Sequence, residues 1–270
     1  MAQMLKDKHI IHSTYMFEVV ARMYGAKTQV VAGEYFFPSA QNVLTVARRL
    51  AHGDYELIPV KVTIPEGVNS FQMANILAQK IPDFDKQAFL EDSQSKEGYL
   101  FPDTYFFLPG QDPLVIISTL ESNFQRHITD PAAEQQITMF GKPLADIVTM
   151  ASLLEKEAND SVSRRMIAGI LWHRIAIGMP LQVDAVFPYI LGKNTFQLSR
   201  ADLRTDSPYN TYINKGLPPG PITNPGLDSI LAAANPTKSN YLFYLSDMHG
   251  NFHYSVNYKE QLSNQKKYLP

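Results

Sequence analysis

The chain has no cysteine in 270 residues. That excludes disulfides, thiolate metal ligands and a cysteine nucleophile. It leaves the compartment open, because cytosolic and envelope proteins alike can dispense with Cys. Neither sign of charge dominates: 24 Lys and Arg stand against 26 Asp and Glu, a formal net charge of −2. Non-specific nucleic-acid binders are normally basic, so no nucleic-acid partner is expected. No apolar run reaches the ~18 residues of a membrane span. The opening "MAQMLKDKHI" has no apolar signal-peptide core. No GxSxG, P-loop, GxGxxG or HExxH pattern occurs, so those nucleophile, phosphate and zinc chemistries lack their signatures. His249 and His253 read as hairpin residues rather than ligands, and no metal or cofactor is expected.

What remains is an ordinary folding chain, 45% hydrophobic and 19% charged. It is long enough for one large domain or two smaller ones. An internal repeat stands out. Met1, Ala2, Leu5, Lys8 and Phe17 recur at constant offset as Met73, Ala74, Leu77, Lys80 and Phe89. Each copy reads as an amphipathic helix, a break and a second short helix. The second copy is led in by "IPVKVTIPEGVNSFQ" (58–72). Val60, Val62 and Ile64 alternate as in a strand, Pro65-Glu66-Gly67 forms a turn, and Ser70 is placed to cap the next helix. The first copy has no such lead-in, so residues 1–270 are expected to be a fragment of a longer protein, preceded by a strand. Between the copies, residues 30–54 read as strand, turn and helix, capped by Ser39 and ended by Gly53.

Further on, 112–128, 142–158 and 161–178 carry helical patterns, the second opened by Pro143 and the third closed by Gly178. Residues 179–236 form long loops, with "SPYNTYINKGLPPGPITNPG" at 207–226. A loop of that length inside a domain is usually functional or disordered, and its aromatic and amide content points to the former. A hairpin is expected around Asp247–Asn251.

"MASLLEKEAND" (150–160) holds the candidate catalytic group. On a helical wheel Glu155 shares an arc with Leu144, Ile147, Val148, Ala151, Leu154 and Ala158, whereas Glu157 points elsewhere. A carboxylate on the core-facing stripe is costly unless paired, protonated or turned to a cleft. Burial would raise its pKa toward the range useful to a general acid. Two readings stay open: a catalytic Glu155, or the frayed last turn of a core helix. Asp184 reads first as a turn residue. Tyr209, Asn210 and Tyr212 have the aromatic faces and amides of a sugar-binding groove.

The stretches "EGYLFPDTYFF", "ASLLEKEA", "HRIAIGMPLQVDAV", "LSRADLRTDSPYNTYINKGLPPGPITNPG" and "AAANPTKSNYLFYLSD" together resemble the YceG-like endolytic murein transglycosylases. The resemblance covers residues 30–258. It implies an α+β fold: a LysM-like N-terminal region over 1–93, followed by a mixed α/β catalytic domain with long loops over 94–270. It implies cleavage of the β-1,4 bond between N-acetylmuramic acid and N-acetylglucosamine in peptidoglycan strands, leaving 1,6-anhydro ends. It maps the catalytic Glu to Glu155, as acid and then base. Gln182, Asp184, Tyr209, Asn210 and Tyr212 would bind substrate. The substrate's own C6 hydroxyl is then the nucleophile, so one carboxylate suffices where a hydrolase commonly uses two. The expected setting is the bacterial envelope: the periplasmic-side domain of a single-pass inner-membrane protein, anchored ahead of Met1, with peptidoglycan synthases as partners. Val183, Ala185 and Gln261 depart from the family's usual text. A non-catalytic glycan-binding scaffold is the alternative. A pyridoxal-dependent lyase would need Lys156 at the site, and the wheel turns Lys156 off the Glu155 arc.

Overall fold

The structure is a computed structural model that describes residues 1–24, 31, 35–37, 39–55 and 58–269. It is an α+β chain of two compact units. The smaller comprises Met1–Val60, Ile81–Asp83 and Phe106–Gly110; the larger comprises Lys61–Lys80, Phe84–Tyr105 and Gln111–Pro270. The larger unit thus takes in residues 61–80 and 84–93, ahead of the 93/94 boundary expected from the sequence.

The smaller unit holds α1 (Ala2–Asp7), α2 (Thr14–Met23) and α3 (Val43–His52). Leu5, Ile11, Phe17, Val20, Val46, Ala47 and Leu50 close its core. Arg49 is buried among them. Its guanidinium donates to Gln41 Oε1 and to the carbonyls of Phe36, Asp54 and Tyr55, so its hydrogen-bonding capacity is met inside. Asn42, not Ser39, caps α3, accepting from Leu44 N, and Gly53 ends it in the left-handed region. The strand expected from residue 30 falls largely outside the described residues.

After β1 (Val60–Thr63), whose first residue belongs to the smaller unit, the larger unit continues with α4 (Ser70–Lys80) and α5 (Lys86–Ser93). Asn69 and Gln72 cap α4 reciprocally, each side chain accepting from the other's backbone N–H, as in a capping box. Ser70 instead gives its hydroxyl to Glu97. The repeat is structural. Ser13 caps α2 by accepting from Met16 N, and Asp85 caps α5 by accepting from Ala88 N. Leu5 and Phe17, like Leu77 and Phe89, are buried.

Next come β2 (Thr104–Phe107), which pairs with β1, then α6 (Pro113–Ile128), α7 (Pro131–Phe140), α8 (Leu144–Glu157) and α9 (Ser161–Ala176). Asp112 and Asp130 cap α6 and α7 ahead of a proline at the first turn. α10 (Val186–Leu191), α11 (Leu227–Ala234), β3 (Phe243–Ser246), β4 (Phe252–Ser255) and α12 (Tyr258–Tyr268) follow. β3 and β4 form the expected antiparallel hairpin, Tyr244 opposite Tyr254.

α8 is the central element. Every residue from Ile147 to Leu154 is buried, and the helix packs on α9 and α11. Among the described residues no single helix is long and apolar enough to cross a membrane.

Candidate active site

Past the all-round burial of Ile147–Leu154, the last turn of α8 emerges with Glu155, Lys156 and Glu157 facing three different surroundings. Ala158 then turns to an extended conformation and ends the helix.

Glu155 faces inward to a lock. Its side chain is 5% exposed and pairs at 2.8 Å with Arg164, itself 9% exposed. Its other oxygen accepts from Gly226 N, the N-cap of α11, where the helix dipole favours an anion. Arg164 also holds Asp228 at 2.7 Å and the Ala158 carbonyl. Glu66 crowds the same spot: a β-carbon on Gly226 would collide with its carboxylate. Burial raises the Glu66 pKa, and the Glu155 charge adds to the effect. Glu155 therefore ties α8, α9 and α11 together.

Glu157 faces a cleft of about 680 Å³ with Asp184, Lys156, Asn69, Tyr189 and Thr223 in its walls. Tyr244, from β3, donates its hydroxyl to Glu157 Oε2 at 2.8 Å. Burial pushes the Glu157 pKa up to about 7; the Asp184 charge adds to the rise, while the Tyr244 hydrogen bond and Arg174 oppose it. A carboxyl poised there can hold a proton near neutral pH and release it. Behind it, Arg174 is buried and donates to the carbonyls of Leu181 and Leu242, fixing its charge beneath the site. Burial lowers the Lys156 pKa, and the ammonium lies against Gly67 at the cleft wall.

The remaining sequence candidates divide. Asp184 lines the cleft and accepts from the Tyr212 hydroxyl at 2.5 Å. Tyr212 thus orients Asp184 rather than walling the cleft. Asn210 is 0% exposed. Its amide donates to the Leu203 and Thr205 carbonyls and accepts from Tyr212 N, so it staples the loop. Tyr209 packs on Tyr189 with ring centroids 5.0 Å apart. Gln182 adopts a positive φ of 50° and its N–H bonds the Thr211 carbonyl. Val183 and Ala185 are buried, which suits their apolar side chains. The sequence reading missed Tyr244 and Arg174, which come from a hairpin and a helix end with no local signature. It also missed Phe71 and Phe196, cleft-wall aromatics 58% and 95% exposed, whose open faces suit a sugar ring. Among the described residues no cluster of three or more His, Asp or Glu could hold a metal ion.

The cleft brings together a carboxyl group whose pKa burial pushes up to about 7 and two exposed aromatic faces, a combination suited to acid–base chemistry on a sugar. The chain belongs to the YceG-like family, whose sequence profile matches residues 1–267. It is 30% identical to the endolytic murein transglycosylase of Bacillus subtilis, over 99% of this chain and 81% of that protein. It is 28% identical to the enzyme of the same name from Streptococcus pneumoniae serotype 2, over 98% of this chain but 55% of that protein. It also resembles the 2.6 Å crystal structure of a putative YceG-like protein of Listeria monocytogenes. There the identity is 30% and the TM-score 0.68, over 97% of this chain and 94% of that one.

Proposed function

We propose that this chain is a lytic transglycosylase that cuts peptidoglycan glycan strands at the cell envelope, and that Glu157, in place of Glu155, is its acid and base. The single observation that carries the assignment is that Glu157 opens on the cleft with its pKa pushed up to about 7. Glu155 has both oxygens engaged by Arg164 and Gly226.

In the reaction, Glu157 gives its proton to the glycosidic oxygen as the bond to the muramic C1 breaks. The C6 hydroxyl oxygen of the same sugar then bonds to C1, and its proton passes to Glu157. The enzyme returns to its starting state, no water is consumed, and the product carries a 1,6-anhydro end. Asp184, across the cleft wall, supplies negative charge to the cationic sugar at the transition state. Phe71 and Phe196 offer apolar faces to neighbouring sugars.

Mass spectrometry of purified peptidoglycan after incubation tests this. The parent chain yields 1,6-anhydro products, Glu157→Gln yields none, and Glu155→Gln, where folded, still yields them. Reducing ends in place of anhydro ends would make the enzyme a hydrolase. Glycan binding without new ends would make it a scaffold.

A further inference from the structure

We propose that Tyr244 is a positioning residue that decides which oxygen of Glu157 carries the transferable proton. This rests on the reading of Glu157 as the acid. The Tyr244 hydroxyl lies 2.8 Å from Oε2. Among the described residues Glu157 is the acceptor within its reach, so its hydrogen points to Oε2 and occupies a lone pair there. An oxygen that accepts in this way is a poor place for the acidic hydrogen. The proton is left on Oε1, which has no hydrogen-bond partner among the described residues and belongs to a carboxyl that faces the cleft.

The hydroxyl is held from its own backbone. Gln261, buried, donates its amide to the Tyr244 carbonyl and accepts from Ser255 Oγ. The side chain noted in the sequence as a departure thus ties α12 to both hairpin strands. Arg174 holds the Leu242 carbonyl two residues before Tyr244. With the strand fixed, the hydroxyl cannot follow the carboxyl as it moves, and the proton-bearing oxygen keeps its place.

The bond also changes during turnover. A hydroxyl donated to a carboxylate is stronger than one donated to a neutral carboxyl. Tyr244 therefore favours the charged form and makes Glu157 a stronger acid at the moment of transfer. The charged and titratable groups that face Glu157 from other elements are, among the described residues, Arg174 on α9, Asp184 on the loop before α10, Tyr212 on the loop before α11 and Tyr244 itself on β3.

The test is Tyr244→Phe, which keeps the ring and removes the hydroxyl. A carbon-13 titration of glutamate-labelled protein reads Glu157 directly, its resonance identified by its loss in Glu157→Gln. The expected result is a midpoint raised by about one pH unit. The alkaline limb of cleavage moves up with it, and kcat falls about tenfold at unchanged KM. An unmoved or lowered midpoint overturns the proposal, even if Glu157→Gln is inert and the acid assignment stands. Cleavage by Glu157→Gln would remove the acid assignment and this proposal with it. Should Tyr244→Phe fail to fold, Gln261→Met loosens the strand without touching the cleft. It must move the same resonance in the same direction, and an unmoved resonance is again fatal.

Discussion

Glu155 and Glu157 lie two residues apart on one helix and meet opposite surroundings. Glu155 is one corner of a buried charge cluster; removing one member of such a pair strands the other. Glu155→Gln keeps the Gly226 hydrogen bond but leaves Arg164 with Asp228 as its remaining ion-pair partner. The expected cost is about 3 kcal/mol of folding stability, read by urea unfolding, with kcat near the parent value under conditions where the variant is folded. A stable, inactive Glu155→Gln would restore Glu155 as the acid. The helical wheel favoured Glu155 because it assumed one buried and one exposed face. Thr149, Met150, Ser152 and Leu153 are buried along with Ile147 and Leu154, so the middle of α8 has no exposed face for the wheel to find. A helix buried all round carries no directional signal in its hydrophobic pattern.

At the scale of elements, the loop that ends in α11 is bolted to α8. Ser152 Oγ accepts from Ile222 N, and Thr223 Oγ1 donates to the Ser152 carbonyl. Asn224, 0% exposed, accepts from Gly98 N and Leu100 N and donates to Glu97 and the Val68 carbonyl. Asn224→Ala abandons four hydrogen-bond partners at once, two of them buried, a loss of about 4 kcal/mol or more measurable as a lowered urea midpoint. Gly98 sits at φ 89°, with Pro221 where a β-carbon would go. Gly98→Ala is therefore expected not to fold, and a soluble variant with native thermal behaviour would contradict this packing. The helix pairs of the repeat were legible because they depend on local spacing and caps. Ser13→Ala and Asp85→Ala should each cost about 1 kcal/mol, the matched loss expected of matched caps. The loop's role was legible only in outline: its prolines and amides announced a built structure. Which amides face the cleft and which staple the backbone depends on contacts far along the chain.

For the whole molecule, the raised pKa of Glu157 makes stability depend on pH. Its folded pKa, about 7, lies above the ordinary 4.5. Below about pH 4.5 both folded and unfolded states hold the proton, and the group costs nothing. As pH rises from there to 7, the unfolded chain releases a proton that the folded chain keeps, so stability falls, levelling above 7. The shift corresponds to about 3 kcal/mol. Glu157→Gln removes this penalty. Its stability should match the parent near pH 4 and exceed it by about 3 kcal/mol at pH 8, in paired calorimetric scans. Equal curves at both values would mean that Glu157 titrates as an ordinary surface carboxylate. A protein made more stable by losing a buried carboxyl is what the proposed role of Glu157, held for chemistry rather than for folding, should give.

By itself the sequence determined the α+β class, the repeated helix pairs, the C-terminal hairpin, the family and the short segment that carries the two candidate glutamates. These follow from local periodicity, caps and turn residues, each set by neighbours within a few positions. Only the tertiary structure decided which of two glutamates meets the cleft. That choice rests on Arg164 and Gly226 claiming one carboxylate and Tyr244 reaching the other. Those partners lie 9, 71 and 87 residues along the chain. No pattern within the last turn of α8 encodes them.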